Sequence, residues 1–397
     1  MSESTRNRLL RVGDENVRVS NIELFFDLVY VFAVTQLAHH LSATHSVDGV
    51  IQTAVLLAMV WQVWVYTTWF SNYLDPDHQA VRLTIVVVML LSLVLAAALP
   101  EGFTSRGWIV AVLYSAIQIG RSLFAVVGLR GERLHAVFVR FIPWLALGAV
   151  PMLLGATVHG HAREALWALS IAIEVGGAAV GFWTPVIGRS ETTDWTISGA
   201  HFAERCQAFV LIALGESIVV TGTTLSHGLR DHLTSEEALT FVVAFAGAVA
   251  LWWVYFDQAA EKSAERIEAS DDPGRLGRSA FHWVHPLIVG GIIVSAAADE
   301  RVLADPSARG HMSTSLLVLG GTALFLVGHA VFKGVVFRLV SWPRVVAAAV
   351  LMALLLLAPH VTELVLSIVT LAVVLCVPIA DRLLHPAWDA QFTTATP

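Results

Sequence analysis

Charge is scarce in this chain. Asp, Glu, Lys and Arg make up 14% of its 397 residues, against about 25% in soluble domains. With 56% hydrophobic residues and a mean hydropathy of +0.70, a soluble domain is excluded and a polytopic, all-α membrane protein is expected. Cysteine is nearly absent: Cys206 and Cys376 lie in or at apolar runs with no paired framework, so no disulfide is expected. The first apolar run carries two acids and is followed by no small-residue cleavage site, which argues against a removable signal peptide. No phosphate-cradling glycine loop, nucleophile elbow or Walker sequence is present, so neither enzyme chemistry nor a cofactor is legible, and nucleic acid is not expected as a partner.

What the chain does have is length of oil. Apolar runs of about 17 to 25 residues, enough to cross hydrocarbon as helix, recur near 22–43, 47–70, 79–98, 107–128, 136–156, 164–184, 202–225, 237–259, 281–298, 313–337, 343–359 and 361–384. These predict about 12 transmembrane helices. Lys and Arg in short loops stay on the cytoplasmic side. With the N-terminus inside, the inner segments hold 18 cations and the outer ones hold 5, namely Arg106, Arg163, Arg230, Arg301 and Arg309. Arg121 falls inside a run. A multi-pass protein of the cytoplasmic (inner) membrane with both termini cytoplasmic is expected, and the net charge of −7 hides this sorting.

The second half echoes the first. Trp64-Val-Tyr66 answers Trp253-Val-Tyr255, Gly120-Arg121 answers Gly328-His329, Pro143 answers Pro343, and Ser170-Ile171 answers Ser367-Ile368, always in the same order. Two six-helix units would insert with one orientation, as parallel repeats. The same features also arise without duplication, from interfacial tryptophan belts and from small residues common in membrane helices. The expected organisation is a cytoplasmic segment 1–21, a first half 22–184, a linker 185–199, a second half 200–384 and a cytoplasmic tail 385–397.

Several side chains are out of place in oil. Glu23, Asp27 and Gln36 sit in the first run, and a carboxylate near mid-membrane costs roughly 2.5 to 3.5 kcal/mol. Glu23, Asp27 and Tyr30, spaced i, i+4 and i+7, share one helical face. His39 and His40 lie about 25 Å beyond Glu23, too far for one metal ion to join them. In the seventh run, His201, Arg205, Glu216 and Thr223 share an azimuth, with Glu216 about 16 Å deeper than Arg205. Gly215 beside it is expected to admit a neighbouring backbone. Glu174, His329 and Arg121 complete the polar interior, with Arg121 expected to balance the acids. Buried ion pairs and a cation path are both compatible with this set.

His282 and His285, spaced i and i+3, could share a metal with Asp257 or Glu261 as third ligand. Without a defined third ligand, such a pair more often hydrogen-bonds at an interface. The inner stretch from Gln258 to Arg278 has helical charge spacing ended by Pro273-Gly274, and predicts a span extension followed by a turn.

Together, Ile22-Glu23-Leu-Phe-Phe-Asp27-Leu-Val-Tyr30-Val-Phe-Ala-Val-Thr-Gln36-Leu, Glu204-Arg205 and Ala213-Leu-Gly215-Glu216-Ser217-Ile218 resemble the bacterial low-temperature-requirement A (LtrA) family. The resemblance implies a multi-spanning cytoplasmic-membrane protein linked by name to growth in the cold, and supplies no mechanism. Phe25-Phe26-Asp27 is also similar to the Phe-Ser-Asp motif of cation channels built from two six-span repeats, although Phe26 replaces the serine and the seventh run has no counterpart. The leading expectation is a permease for a small solute or cation, with the lipid bilayer as surroundings and Glu23, Asp27 and Glu216 lining the route. A metal-dependent enzyme acting on a lipid and a non-catalytic sensor or scaffold for cold growth are the alternatives. A homo-oligomer is compatible with each.

Overall fold

The computed structural model describes residues 9–11, 19–190, 199–228, 234–256, 259–309 and 311–384. Arg230, Asp257, most of the linker, most of the N-terminal segment and the tail 385–397 lie outside the described residues. Helices account for the fold, as they must where hydrocarbon offers the backbone no partners, and no named strand occurs among the described residues. In chain order they are α1 (Asn21–Ala43), α2 (Val47–Tyr73), α3 (Gln79–Ala98), α4 (Gly107–Gly128), α5 (Arg133–Thr157), α6 (His161–Ala179), α7 (Gly199–Gly228), α8 (Ser235–Phe256), α9 (Ala259–Glu268), α10 (Pro273–Gly277), α11 (His285–Ala304), α12 (Met312–Phe337), α13 (Trp342–Leu354) and α14 (Glu363–Leu384).

Every one of the twelve apolar runs contains helix. Among the described residues, nine helices are long and apolar enough to cross a membrane: α1 to α5, α7, α8, α12 and α14. The other three depart for visible reasons. Within α6 lie Arg163, Glu164 and Glu174, and within α11 lie Asp299, Glu300 and Arg301. The expected run 343–359 yields 13 helical residues in α13 before the chain turns into a short 3-10 segment at Ala358–His360. Thirteen residues of helix reach about 20 Å, short of a hydrocarbon core of about 30 Å.

The helices gather into two compact units. The first comprises Met1–Ile212 with Ala264–Pro286, and the second comprises Ala213–Ser263 with Leu287–Pro397. In the first, α4 and α6 pack on α5, α3 packs on α1 and α4, and α2 packs on α1, α4 and α6. Arg163, expected in an outer loop, is instead buried. It donates to the carbonyls of Gly102 (2.8 Å), Thr104 (3.1 Å) and Val158 (2.9 Å), joining the ends of α5 and α6 to the turn before α4.

In the second unit, α12, α13 and α14 pack on one another and α8 packs on α14. A glycine seam joins α11 to α12. A Cβ on Gly291 would stand 2.4 Å from the Phe325 nitrogen, one on Gly321 would stand 2.9 Å from the Ser295 nitrogen, and one on Gly328 would stand 3.0 Å from the Ile288 nitrogen. Such close approach is the service small residues give in membrane packing. Gly215 was expected to do the same and does not: no described atom lies within 4 Å of where its Cβ would be.

Residues matched in the sequence echo have different surroundings. Trp64 is fully buried while Trp253 is 44% exposed. Gly120 faces open space while Gly328 lies against Ile288. The stretch after α8 forms a helix, α9, as its charge spacing predicts, and α9 ends at Glu268 in a turn; the Pro273-Gly274 pair, expected to make that turn, instead opens α10, where proline suits a first helical position and Asp272 caps by accepting from the Arg275 amide (2.9 Å).

Candidate functional site

Two polar clusters occupy the first unit. Glu23 opens α1, three residues after Ser20, and its Oε2 accepts from the Ser20 amide (2.9 Å) and hydroxyl (2.8 Å), a reciprocal helix cap. Its other oxygen lies 2.9 Å from His201 Nε2 and 3.2 Å from Arg205 Nη1. His201 Nε2 stands between this acceptor and the Arg11 Nη1 donor (3.2 Å), and it donates to Glu23 when it carries the ring proton. The Arg11 guanidinium, 3.5 Å from the same oxygen, donates to the Ser71 carbonyl (2.9 Å).

One turn along, Asp27 receives two bonds from Arg205, Nη2 to Oδ1 (2.6 Å) and Nε to Oδ2 (3.0 Å), and a third from the Trp64 indole (2.7 Å). Two carboxylates thus face two guanidiniums. Glu23 is 1% and Asp27 2% exposed. At about 1.5 Å per residue, Asp27 lies only about 9 Å from the start of α1, as Arg205 does from the start of α7, so the cluster sits toward the helix ends. Tyr30 follows on the same face, its ring packed between Phe26 and Phe209. The structure therefore brings Glu23, Asp27, His201 and Arg205 together as a closed ion-pair network.

Arg121 does not serve as their counterion, a role that falls to Arg205. Its guanidinium donates to Thr67 Oγ1 (2.7 Å), the Val63 carbonyl (3.2 Å) and Gln118 Oε1 (2.6 Å). Gln118 and Tyr114 in turn donate to Glu174 Oε2 (2.9 and 2.8 Å). The result is a second chain of bonds from α6 through α4 to α2. Its polar atoms are buried and matched, as interiors demand.

His282 and His285 also have non-metal partners. His282 Nε2 lies 3.0 Å from Gln62 Oε1, and His285 Nδ1 lies 3.1 Å from the Ala280 carbonyl. The His282 carbonyl would normally bond the amide four residues on, but that residue is Pro286 and has none. The Trp61 indole supplies the missing donor at 2.9 Å, and the chain there runs as a π-helix over Arg278–Val284. Among the described residues no three His, Cys, Asp or Glu side chains are grouped to hold a metal. Asp257 and the side chain of Glu261 are outside what is described.

Within the second unit, Arg344 reaches three groups: its Nε donates to His329 Nδ1 (2.7 Å), and its Nη1 donates to Ser341 (2.9 Å) and to Asp381. Lys333 stands 3.7 Å from the same aspartate. His329 is thereby committed to the junction of α12, α13 and α14. Glu216 is buried on α7, and its neighbour Ser217 reaches a cavity.

That cavity, about 50 Å³, is a candidate site to which the apolar runs of the sequence do not point. Its walls are Ser217 from α7; Val243, Ala244, Gly247, Ala248 and Leu251 from α8; Ser295, Ala298 and Asp299 from α11; Val318 and Thr322 from α12; and Ser367, Thr370, Leu371 and Val374 from α14. Ser295 and Asp299 are spaced i and i+4, and Ser367 and Thr370 i and i+3, so each pair shares a helix face. The glycine seam brings α11 and α12 close enough for Asp299 and Thr322 to line one space. Ser217 and Asp299 line the same space. Asp299 lies just outside the apolar run, which ends at Ala298, although the helix continues to Ala304. The signal was the spacing of Ser295 and Asp299 across that apparent boundary.

Comparison with known proteins agrees with the motif-level resemblance. The sequence pattern of the family described as "Bacterial low temperature requirement A protein (LtrA)" matches residues 18–379. A Rhizobium meliloti (strain 1021) protein named "Uncharacterized protein RA0937" is 33% identical over 381 residues, covering 96% of this chain and 92% of the relative. No solved structure matches the chain. A match of this extent makes the chain a member of the bacterial low temperature requirement A family.

Proposed function

We propose that this protein is a permease for a small solute or cation in the bacterial inner membrane, with about twelve crossings, both termini cytoplasmic, and its polar site in the cavity of the second unit. The observation that carries the reading is one ionisable group, Asp299, facing a 50 Å³ space ringed by Ser217, Ser295, Thr322, Ser367 and Thr370 among side chains that are otherwise small or apolar. An acid among membrane helices is expensive and marks a solute or ion path when it faces a cavity. Glu23 and Asp27 differ in kind: their oxygens are already engaged by Arg205, His201, Trp64 and Ser20. The orientation rests on the excess of cations in alternate segments.

The test is flux. Purified protein in liposomes is expected to pass sodium, potassium or protons faster than empty liposomes, and Asp299→Asn to cut that flux by at least about tenfold, as loss of about 1.4 kcal/mol or more of binding would. Equal flux in empty liposomes, wild type and the variant overturns the reading.

A further inference from the structure

The cavity in the second unit has a chemical polarity that its residue names do not convey. Each Ser or Thr hydroxyl has one proton to give and lone pairs with which to accept. Ser295 gives its proton to the Gly291 carbonyl (3.0 Å), Thr322 to Val318 (3.2 Å), Ser367 to Glu363 (3.1 Å) and Thr370 to Leu366 (2.8 Å). Ser217 lines the same wall as Asp299. Four of the five hydroxyls therefore have their protons committed elsewhere, and what those four retain for an occupant is oxygen lone pairs. The remaining polar wall group, Asp299, is also acceptor-only when it is ionised, the form a bound cation favours.

Resting on the reading that this cavity is the solute site, we propose that its ligand is a single, partly hydrated alkali cation, sodium or potassium, held by the Asp299 carboxylate and the hydroxyl oxygens of Ser295, Thr322, Ser367 and Thr370. Three features select this class. Hard cations take oxygen ligands, and a ring of oxygens replacing lost hydration is how membrane proteins hold alkali ions. Asp299 is the one ionisable residue among those lining the cavity, so a monovalent ion leaves the site neutral while a divalent ion leaves an uncompensated charge in low dielectric. An anion meets a carboxylate, and a neutral solute bearing both donors and acceptors leaves its acceptors unmatched.

Size agrees with this choice. A water occupies roughly 10 to 15 Å³ of such space, so 50 Å³ admits an ion with two or three waters. The small residues Gly247, Ala248 and Ala298 in the walls leave that room. The absence of a three-member His, Cys, Asp and Glu group among the described residues fits a site built from hydroxyls rather than one for zinc or iron.

The experiment measures equilibrium binding, which does not depend on transport. Purified full-length protein in nanodiscs is titrated with sodium chloride and potassium chloride by calorimetry and by radiolabelled sodium, with calcium chloride and methylammonium chloride as competitors. Thermal unfolding in choline chloride checks that each variant is folded. The expected result is saturable binding of one alkali ion per chain, weakened at least about a hundredfold by Asp299→Asn and about tenfold by Thr322→Val, which keeps the side-chain shape and removes the oxygen. Calcium and methylammonium do not displace it. Alkali binding with these losses, but without flux in liposomes, upholds the inference and sinks the permease reading alone. Asp299-dependent flux without alkali binding, tighter binding of calcium or methylammonium, or alkali binding unchanged in folded Thr322→Val and Asp299→Asn overturns the inference.

Discussion

Asp27 and Arg205, 178 residues apart in sequence, close a two-point ion pair in which Nη2 meets Oδ1 at 2.6 Å and Nε meets Oδ2 at 3.0 Å. Matched planar geometry of this kind is among the strongest polar contacts a protein makes. The pair also stacks: the Arg205 guanidinium lies 5.7 Å from the Phe26 ring centre and 5.8 Å from that of Trp64. Its placement toward the starts of α1 and α7 gives it the task of tying these two segments together within the first unit.

Breaking the pair from one side strands the other charge. Asp27→Asn and Arg205→Gln are each expected to lower stability by about 3 to 5 kcal/mol, read as a fall in thermal midpoint and in monodisperse yield on size-exclusion chromatography. Trp64→Phe removes one neutral donor to the same carboxylate and should cost less, about 1 to 3 kcal/mol. Equal stability for wild type and Arg205→Gln would show that the network does not hold the fold.

The glycines separate into two kinds, and alanine distinguishes them. At Gly291 a Cβ would stand 2.4 Å from the Phe325 backbone nitrogen. Gly291→Ala must push α11 from α12, and overpacking of this sort costs about 1 to 3 kcal/mol. Gly215 has no described atom within 4 Å of that position, so Gly215→Ala is expected to be neutral or stabilising by up to about 1 kcal/mol, the helix preference of alanine over glycine. Paired thermal-unfolding curves check both, and a destabilised Gly215→Ala beside an unaffected Gly291→Ala would contradict this packing.

Outside the spans, His161 at the start of α6 lies 3.0 Å from Glu164. A hydrogen bond to that carboxylate and the negative charges of Asp48 and Glu164 raise its pKa above the ordinary imidazole value. Because the folded value is the higher one, the pair's contribution to stability is complete below the ordinary pKa of about 6.5 and is lost as pH rises through the folded pKa. An NMR titration of the His161 ring should show a midpoint above the ordinary value in wild type and a lower one in Glu164→Gln. Coincident titration curves would remove the pairing.

Much of the architecture was legible because a bilayer leaves the backbone few choices: apolar runs of sufficient length become helices, and their limits fall within a few residues of the expected ones at α1, α3 and α4. Where polar side chains interrupt a run, hydropathy stops being a guide. It read Arg163 as a loop cation although the guanidinium collects backbone carbonyls inside the protein, and it ended a span at Ala298, one residue before the acid that faces the cavity. Glu23 and Asp27 stood out correctly as acids in an apolar helix. Their partners could not be read from one helix, because Arg205 and His201 lie more than 170 residues away and spacing carries no information across that distance. Ser20-Asn-Ile-Glu23 did carry a local sign, the capping-box pattern that places Glu23 at a helix start rather than at mid-membrane.

Asp27 holds the fold and Asp299 is proposed to carry the flux, and a single comparison separates the two roles. Flux through liposomes, normalised to folded protein, is to be measured for wild type, Asp299→Asn and Asp27→Asn together with each variant's thermal midpoint. The expected result is that Asp299→Asn keeps its midpoint and loses flux, while Asp27→Asn loses midpoint and keeps flux per folded molecule. Flux that survives Asp299→Asn and disappears in stably folded Asp27→Asn would contradict it.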